Sequence, residues 1–536
     1  MVIFGCLSLA AAIASRDFLE ADATVHYLYA RFAFQQHHLF VDIWGRPFCT
    51  ALYSLGAATA GRIGVQLTSL LAALFTAWIC YRLAKRQNYR YPILAAVFFL
   101  AQPLVFLHSF SELTELPFVL LLALAFWAYQ KRLWTIMALL VGLMPAARPE
   151  GFGFLLLATA ALLFHRQSRS IAIMLAPLIA WSAAGWCLCG RTNPWYLRIP
   201  LWVPEHWPYS AQSLYPPGPL LHFLAMLPAV VSPFVFPAVL FGIGRSFAQQ
   251  PSPILGLWSR FFGPDHRSRC QCLIALIPLM VLAGHSLLYW TGRMASSGEL
   301  RYMLVVAPFW ALLAARGWEW AFDRCRLPRP VTWAAVASLL PILANLAWQV
   351  IPLQPSMETI RAKEVARWYQ ASAMHDRYPR LAAAHPMVYF FLDISIMDPK
   401  RSSDFSPRTI ADAPPGTILI WDSLYGMLNA DATRKVQIKD ILDRGWVLAT
   451  VLKEQARPPK TGLIFRFAQK VQRDEVGMWC IFLSPQDAHG RPTEKPTTPH
   501  VGSRTFESVE PQAMRATLNL LNYLKGDKDY IQANPF

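Results

Sequence analysis

Charge is scarce in this chain: Asp, Glu, Lys and Arg make up 15% of 536 residues, against 55% hydrophobic residues, and the mean hydropathy is +0.32. So little charge excludes an ordinary soluble domain, in which about a quarter of the residues are ionisable. Acids are the scarcer sign, 32 against 49 Lys and Arg, for a net charge of +17. That excess implies no nucleic acid, because much of it lies in loops placed to face anionic headgroups. The first apolar stretch, 1–15, lacks a basic amino-terminal region and reads as a span; a cleaved signal peptide is the alternative, and its Ala-Ile-Ala-Ser end resembles a cleavage site. Nine cysteines form no regular framework. Cys187 with Cys189 and Cys270 with Cys272 sit at span ends, where packing is the better reading, and a bridge between Cys49 and Cys480 is only a guess.

What is present is a series of apolar runs near 1–15, 65–81, 92–109, 113–129, 133–146, 151–164, 171–189, 219–243, 272–290, 302–315 and 331–351. They imply a multi-pass α-helical membrane protein with about 11 spans, several of them short enough to need tilt or local thinning. Lys and Arg collect in alternate loops: Arg82, Lys85, Arg86 and Arg90, then Lys131 and Arg132, then Arg166 and Arg169, then Arg245, Arg260, Arg267 and Arg269, then Arg316, Arg324, Arg326 and Arg329. Basic loops face the cytoplasm. The first loop, 16–62, and everything after 351 are then expected outside. The domain organisation expected is a membrane part, 1–354, and an extracytoplasmic α/β domain, 355–536, with a helix over 357–373 and strands at 387–392, 417–422, 446–452 and 478–483. That domain contains no nucleotide loop, metal spacing or nucleophile motif, and residues 486–512 look loosely structured.

Polarity returns in the outer segments. Asp17, Glu20 and Asp22 follow the first run directly. Ionisable groups at such an interface are functional candidates, although Glu20 and Asp22 also suit a helix amino terminus. Residues 22–34 have helical apolar spacing and are expected to lie along the membrane surface, with Asp22 and His26 on one face. His37 and His38 read as solvated. Asp42, Trp44, Arg46 and Pro47 suggest a ligand wall. Further along come Glu112 and Glu115, then Arg148, Glu150 and Gly151, then Glu299, Arg301 and Tyr302, each at an outer helix end. Any one of these is compatible with a solvated turn. Their recurrence on one side is the signal. The aromatic residues of 191–219 either anchor at the interface or close over a ligand.

These stretches together, over roughly 1–351, resemble the GT-C glycosyltransferases, most closely the bacterial protein-O-mannosyltransferase-like and aminoarabinose-transferase-like members. The resemblance rests on the Asp-containing first loop, Trp-Gly-Arg-Pro at 44–47, Ser-Glu-x-x-Glu at 111–115, Arg-Pro-Glu-Gly at 148–151 and Arg-Tyr at 301–302. It implies transfer of a sugar from a polyprenyl-phosphate donor to a lipid, glycan or protein acceptor on the outer face, with inversion, in what is expected to be a bacterial cytoplasmic membrane. It also implies Asp22 as general base with Glu20 in reserve, because the chain has Glu-Ala-Asp where many relatives have adjacent Asp-Glu. Arg301 is the implied donor-phosphate partner, with Arg148 and Arg46 as weaker candidates. His26, Tyr27, Asp42, Trp44, Glu112, Glu115, Glu150 and Tyr302 are expected around the substrates. No cofactor is called for, and a single Glu-x-Asp is too little to infer a divalent metal. A transporter or lipid flippase is the rival; it predicts midspan charge and repeated helices, and no inverted repeat is visible. A receptor using 355–536 as its binding module is a third possibility.

Overall fold

The computed structural model describes residues 1–189, 216–247, 265–294, 296–325, 329–347, 351–371, 374–423, 426, 436–453 and 478–493. The expected aromatic segment up to residue 215, and residues 494–512, lie outside the described residues. One compact unit comprises Met1–Thr359 and a second begins at Ile360.

The first unit is helical throughout its described length, and its apolar helices follow the runs in the sequence. Four of them, Pro47–Arg86, Ser168–Cys189, His266–Thr291 and Leu300–Cys325, are long and apolar enough to cross a bilayer. The pair His222–Val231 and Phe236–Ser246, bent by 114°, makes a fifth if taken as one span. Val2–Ala14, Glu115–Gln130, Trp134–Ala147, Gly151–Phe164 and Val331–Leu340 are apolar but only 10–17 residues long. The larger total of about 11 remains a reading of the apolar runs alone.

Several breaks have local causes. The run at 92–109 splits into Ile93–Leu100 and Pro103–His108. Pro103 has no N–H to continue the first helix, and the Gln102 side-chain amide instead donates to the Ala307 carbonyl at 2.9 Å. The helix Pro47–Arg86 reverses sharply at Gly61, whose φ of +59° an L side chain adopts only under strain. The two arms then meet glycine on glycine: a Cβ on Gly64 would sit 2.2 Å from the Gly56 carbonyl oxygen. Small residues also set the closest helix crossing later in the bundle, where a Cβ on Gly242 would lie 2.0 Å from the Leu313 carbonyl and one on Gly317 1.9 Å from that of Ala238.

The helix Ala21–Phe32 corrects one expectation. Its aromatic rings were expected at headgroup level along the membrane surface, yet none of its residues is exposed, and Tyr27, Leu28, Tyr29 and Phe32 are buried. The first arm of Pro47–Arg86 covers it, burying rings that the sequence pattern placed at headgroup level.

In the second unit the described strands are β1 (Arg380–Ala383), β2 (Thr417–Asp422), β3 (Val447–Lys453) and β4 (Met478–Leu483), in the order β1-β2-β4-β3. The first pair is parallel and the others antiparallel. The expected strand at 387–392 is instead the helix Met387–Leu392, and the strand lies a few residues earlier. A short apolar run does not distinguish helix from buried strand. Here Pro386 precedes the helix and Asp393, in the left-handed region, closes it. Leu419, Trp421, Cys480 and Phe482 form the core of this unit with Ile438, Ile441 and Trp446.

Candidate active site

Four separate stretches of the first unit deliver ionisable side chains to one place. Glu20 and Asp22 stand at the start of Ala21–Phe32, and Glu115 opens Glu115–Gln130. Arg148 and Glu150 form the hairpin between Trp134–Ala147 and Gly151–Phe164. Glu299 and Arg301 flank the entry to the turn Leu300–Val306. The hairpin explains its own sequence. Pro149 follows the extended Arg148, and Gly151 packs so close that a Cβ would lie 2.4 Å from the Met144 carbonyl carbon.

Two guanidinium groups organise the carboxylates. Arg301 donates through Nη2 to Asp22 at 2.5 Å and through Nη1 to Glu20 at 3.2 Å. Its Nε lies 3.7 Å from Glu115 and in ion-pair contact with Glu299. Arg148 donates through Nη1 to Glu115 at 2.6 Å and to the Thr114 hydroxyl at 3.2 Å, and through Nη2 to Glu150 at 2.9 Å. Glu115 thus joins the two arginines, while its second oxygen, Oε2, is buried with no hydrogen-bond partner among the described residues. His285 stacks on Tyr302 at 5.1 Å with its Nε2 3.9 Å from Glu150. Ser297 donates to Glu299 at 3.0 Å and shares a 3.1 Å hydrogen bond with the Tyr302 hydroxyl.

The surroundings divide the two first-loop acids. Their side chains are 39% and 47% exposed, so both remain open to solvent. Burial pushes Glu20 up to about 8, with Arg301 opposing and Asp22, Glu299 and Glu115 reinforcing. For Asp22 burial pushes the same way, but the charge and hydrogen bond of Arg301 outweigh it and hold the carboxyl below its ordinary value. The two carboxyls are thus shifted in opposite directions, Glu20 toward its protonated form and Asp22 toward its ionised one. His26, one turn beyond Asp22, is pushed down to about 4 by burial and then by the Arg46 charge; its Nδ1 is buried without a hydrogen-bond partner among the described residues. Arg46, itself at a positive φ of 59°, is lowered to about 10 by burial and the neighbouring Arg148.

Not every expected residue reaches this cluster. The Asp42 carboxylate is taken up by its own turn, accepting from the Trp44 amide at 2.8 Å, from the Gly45 amide and from the Tyr29 hydroxyl. Trp44 is 46% exposed. Glu112 pairs instead with Arg62 and Gln66, at 2.5 and 2.8 Å. Tyr27 is buried, near Gly61. Conversely, Glu299 and His285 join the cluster without having been singled out as site residues. Glu299 carried a signal, an acid two residues before Arg301, whereas His285 sits inside an apolar run with nothing beside it to mark it. Among the described residues no group of three or more His, Cys, Asp or Glu is placed to hold a metal ion; the carboxylates are turned toward arginines.

No family model and no curated protein matches the chain. Among solved structures the chain is similar to ArnT from Cupriavidus metallidurans bound to undecaprenyl phosphate, with 13% identity over 79% of this chain and 93% of that one and a TM-score of 0.49. The apo state of the same protein gives 14% identity, 78% and 92% coverage and a TM-score of 0.47.

Proposed function

We propose that the chain is an integral-membrane glycosyltransferase of the GT-C type. It moves a sugar from a polyprenyl-phosphate donor to an acceptor hydroxyl at the carboxylate–arginine cluster, on the outer face of the membrane. The observation that carries this reading is the pair Asp22 and Glu20 on the one Arg301 guanidinium, at 2.5 and 3.2 Å, with their carboxyls shifted in opposite directions. Two neighbouring carboxyls whose environments drive them apart mark an assignment of proton-transfer roles.

In the reaction, Asp22 accepts the proton of the acceptor hydroxyl as its oxygen bonds to the anomeric carbon. The bond from that carbon to the phosphate oxygen breaks, and the polyprenyl phosphate leaves with the electron pair. No acid is required at the leaving group, because a phosphate ester departs as a stable anion; cations are what it needs. Arg301 supplies one. Its Nη2 edge is committed to Asp22 and its Nε to Glu299 and Glu115, whereas the Nη1 edge meets only Glu20, at the longer distance of 3.2 Å. That edge is the one a donor phosphate takes over at least cost, in the forked geometry a guanidinium offers. Arg148 and Arg46 add positive charge behind it. His285 and Tyr302, stacked at 5.1 Å beside Glu150, suit the apolar face of a sugar ring.

The transporter reading gains little from the bent helix pair. That reading expects ionisable groups at midspan, whereas residues 222–244 contain no Asp, Glu, Lys or Arg. Purified protein supplied with a polyprenyl-phosphate sugar tests the proposal. Asp22→Asn is expected to retain the fold and lose about 10²- to 10⁴-fold in transfer, the usual contribution of a positioned base. Full activity in that variant removes Asp22 as the base.

A further inference from the structure

A second polar cluster lies at the far end of the same helices. Glu115 begins the helix Glu115–Gln130 at the carboxylate site, and Gln130 ends it about 22 Å away. Beside Gln130, the ends of four more helices converge. Arg86 Nε donates to the Gln130 carbonyl at 3.1 Å, and Arg267 Nη2 to the Gln87 carbonyl at 2.5 Å. His266 Nε2 lies 3.1 Å from the Tyr129 carbonyl. Trp134 stacks on His165 at 4.4 Å, and Tyr129 and His165 lie 5.1 and 5.8 Å from the His266 ring. Arg269 hydrogen-bonds the Tyr129 hydroxyl and stands over the Phe164 ring at 5.3 Å.

Three features set this cluster apart from a solvated basic loop. First, the charge is nearly all of one sign: in 85–90, 130–134, 165–170 and 265–272 the only acid is Asp265, against nine Lys and Arg. Asp265 is already spent, accepting from the amides of Arg267 and Ser268 as a helix cap. Second, polar atoms are sealed in without hydrogen-bond partners among the described residues: both side-chain amide atoms of Gln130, Nε2 of His165 and Nδ1 of His266. Gln130 is 1% exposed, so ordinary solvent does not satisfy it. Third, a cation is held inside rather than in water. Arg269 is 7% exposed, and its charge and that of Arg132 bear on His165, which burial and these arginines push down to about 4. Imidazoles kept uncharged by neighbouring cations are what an anion entering the cluster would relieve.

We propose that these helix ends form a binding site for one phosphate-bearing anion, held by Arg132 and Arg269 with His165 and His266 beside it. The occupant is either the headgroup of an acidic phospholipid or a free phosphate group. The site stands apart from the transferase reading and survives its failure.

Native mass spectrometry of the full chain in detergent, titrated separately with phosphatidylglycerol and with inorganic phosphate, tests it. Wild-type protein is expected to retain one equivalent of one of the two. Retention of the phospholipid alone identifies a headgroup, and retention of inorganic phosphate identifies a free anion. Arg132→Gln, at an exposed residue whose loss leaves the packing intact, should weaken retention about fivefold, the effect of removing one cation beside an anionic group. Arg269→Gln should act in the same direction. Arg82→Gln removes an exposed cation that lies over Trp78 rather than in the cluster, and should leave retention unchanged. Equal weakening by Arg82→Gln would reduce the cluster to diffuse attraction and overturn the site. So would absence of any saturable retention of either probe by the wild type.

Discussion

Replacing Arg148 with glutamine strips the strongest partner from Glu115, whose side chain is 0% exposed, and from Glu150, which is 13% exposed. Arg301 remains, but only at 3.7 Å from Glu115. Breaking a buried pair by removing one partner costs about 3–5 kcal/mol, because a desolvated charge is left behind. Replacing Arg301 removes more contacts, yet harms the fold less. Three of its partners, Glu20, Asp22 and Glu299, have side chains 39%, 47% and 40% exposed, and Glu115 keeps Arg148. Solvent screening holds each half-open pair to roughly 0.2–1 kcal/mol, for a total of about 1–3 kcal/mol. Thermal unfolding of Arg148→Gln and Arg301→Gln in the same detergent should therefore rank Arg148→Gln as the less stable. Transfer assays should show Arg301→Gln as inactive as Asp22→Asn while it still unfolds cooperatively. If Arg301→Gln unfolds at the same or a lower temperature than Arg148→Gln, the division into a structural and a functional arginine fails.

Glu20→Gln mimics the protonated acid and should keep transfer within a few-fold of wild type at neutral pH, and should remove any loss of activity that sets in above pH 8; inactivation at pH 7 would make charged Glu20 the working form. The contribution of Glu20 to stability, with its folded value raised, is complete below about 4.5 and disappears as pH rises through about 8, whereas that of Asp22, with its value lowered, is present above the ordinary 3.8 and disappears on acidification. Unfolding scans from pH 4 to 9 should show the alkaline loss in wild type and not in Glu20→Gln. Gly64→Ala should destabilise by about 1–3 kcal/mol, because the atom it meets at 2.2 Å is backbone and does not rotate away. Gly61→Ala should cost only about 1 kcal/mol, since its Cβ would make an ordinary 3.6 Å contact with the Tyr27 hydroxyl and the cost is that of its positive φ; the reverse order, read from melting temperatures, would place the stress at the bend rather than at the crossing.

Much of the candidate site was legible because charge is so rare in the first unit. In a background of Leu, Ala and Phe, an acid or an arginine at a helix end stands out, which is how Asp22, Glu115, Arg148, Glu150 and Arg301 were found. What sequence spacing does not convey is where a side chain's hydrogen bonds go. Asp42 and Asp22 look alike as loop acids, but the turn at Trp44 consumes one and the distant Arg301 the other. His285 was hidden for the opposite reason, because its neighbours in sequence are apolar and its partners, Glu150 and Tyr302, come from other helices. The helices themselves were readable from apolar runs, while their breaks were less so. Gly61 and Gln102 act through backbone angle and a single long-range hydrogen bond, neither of which alters hydropathy.

The ion pair between Asp22 and Arg301 joins residues 279 positions apart. At about 5–20 residues per second of synthesis, the arginine leaves the ribosome roughly 15 to 55 seconds after the acid. During that interval Asp22, Glu20 and Glu115 have no counter-ion from Arg301. The proposed base thus acquires its ion-pair partner only when one of the last helices of the bundle is inserted. A nascent or truncated chain can hold the first loop and still be unable to act on a donor lipid already present in the membrane.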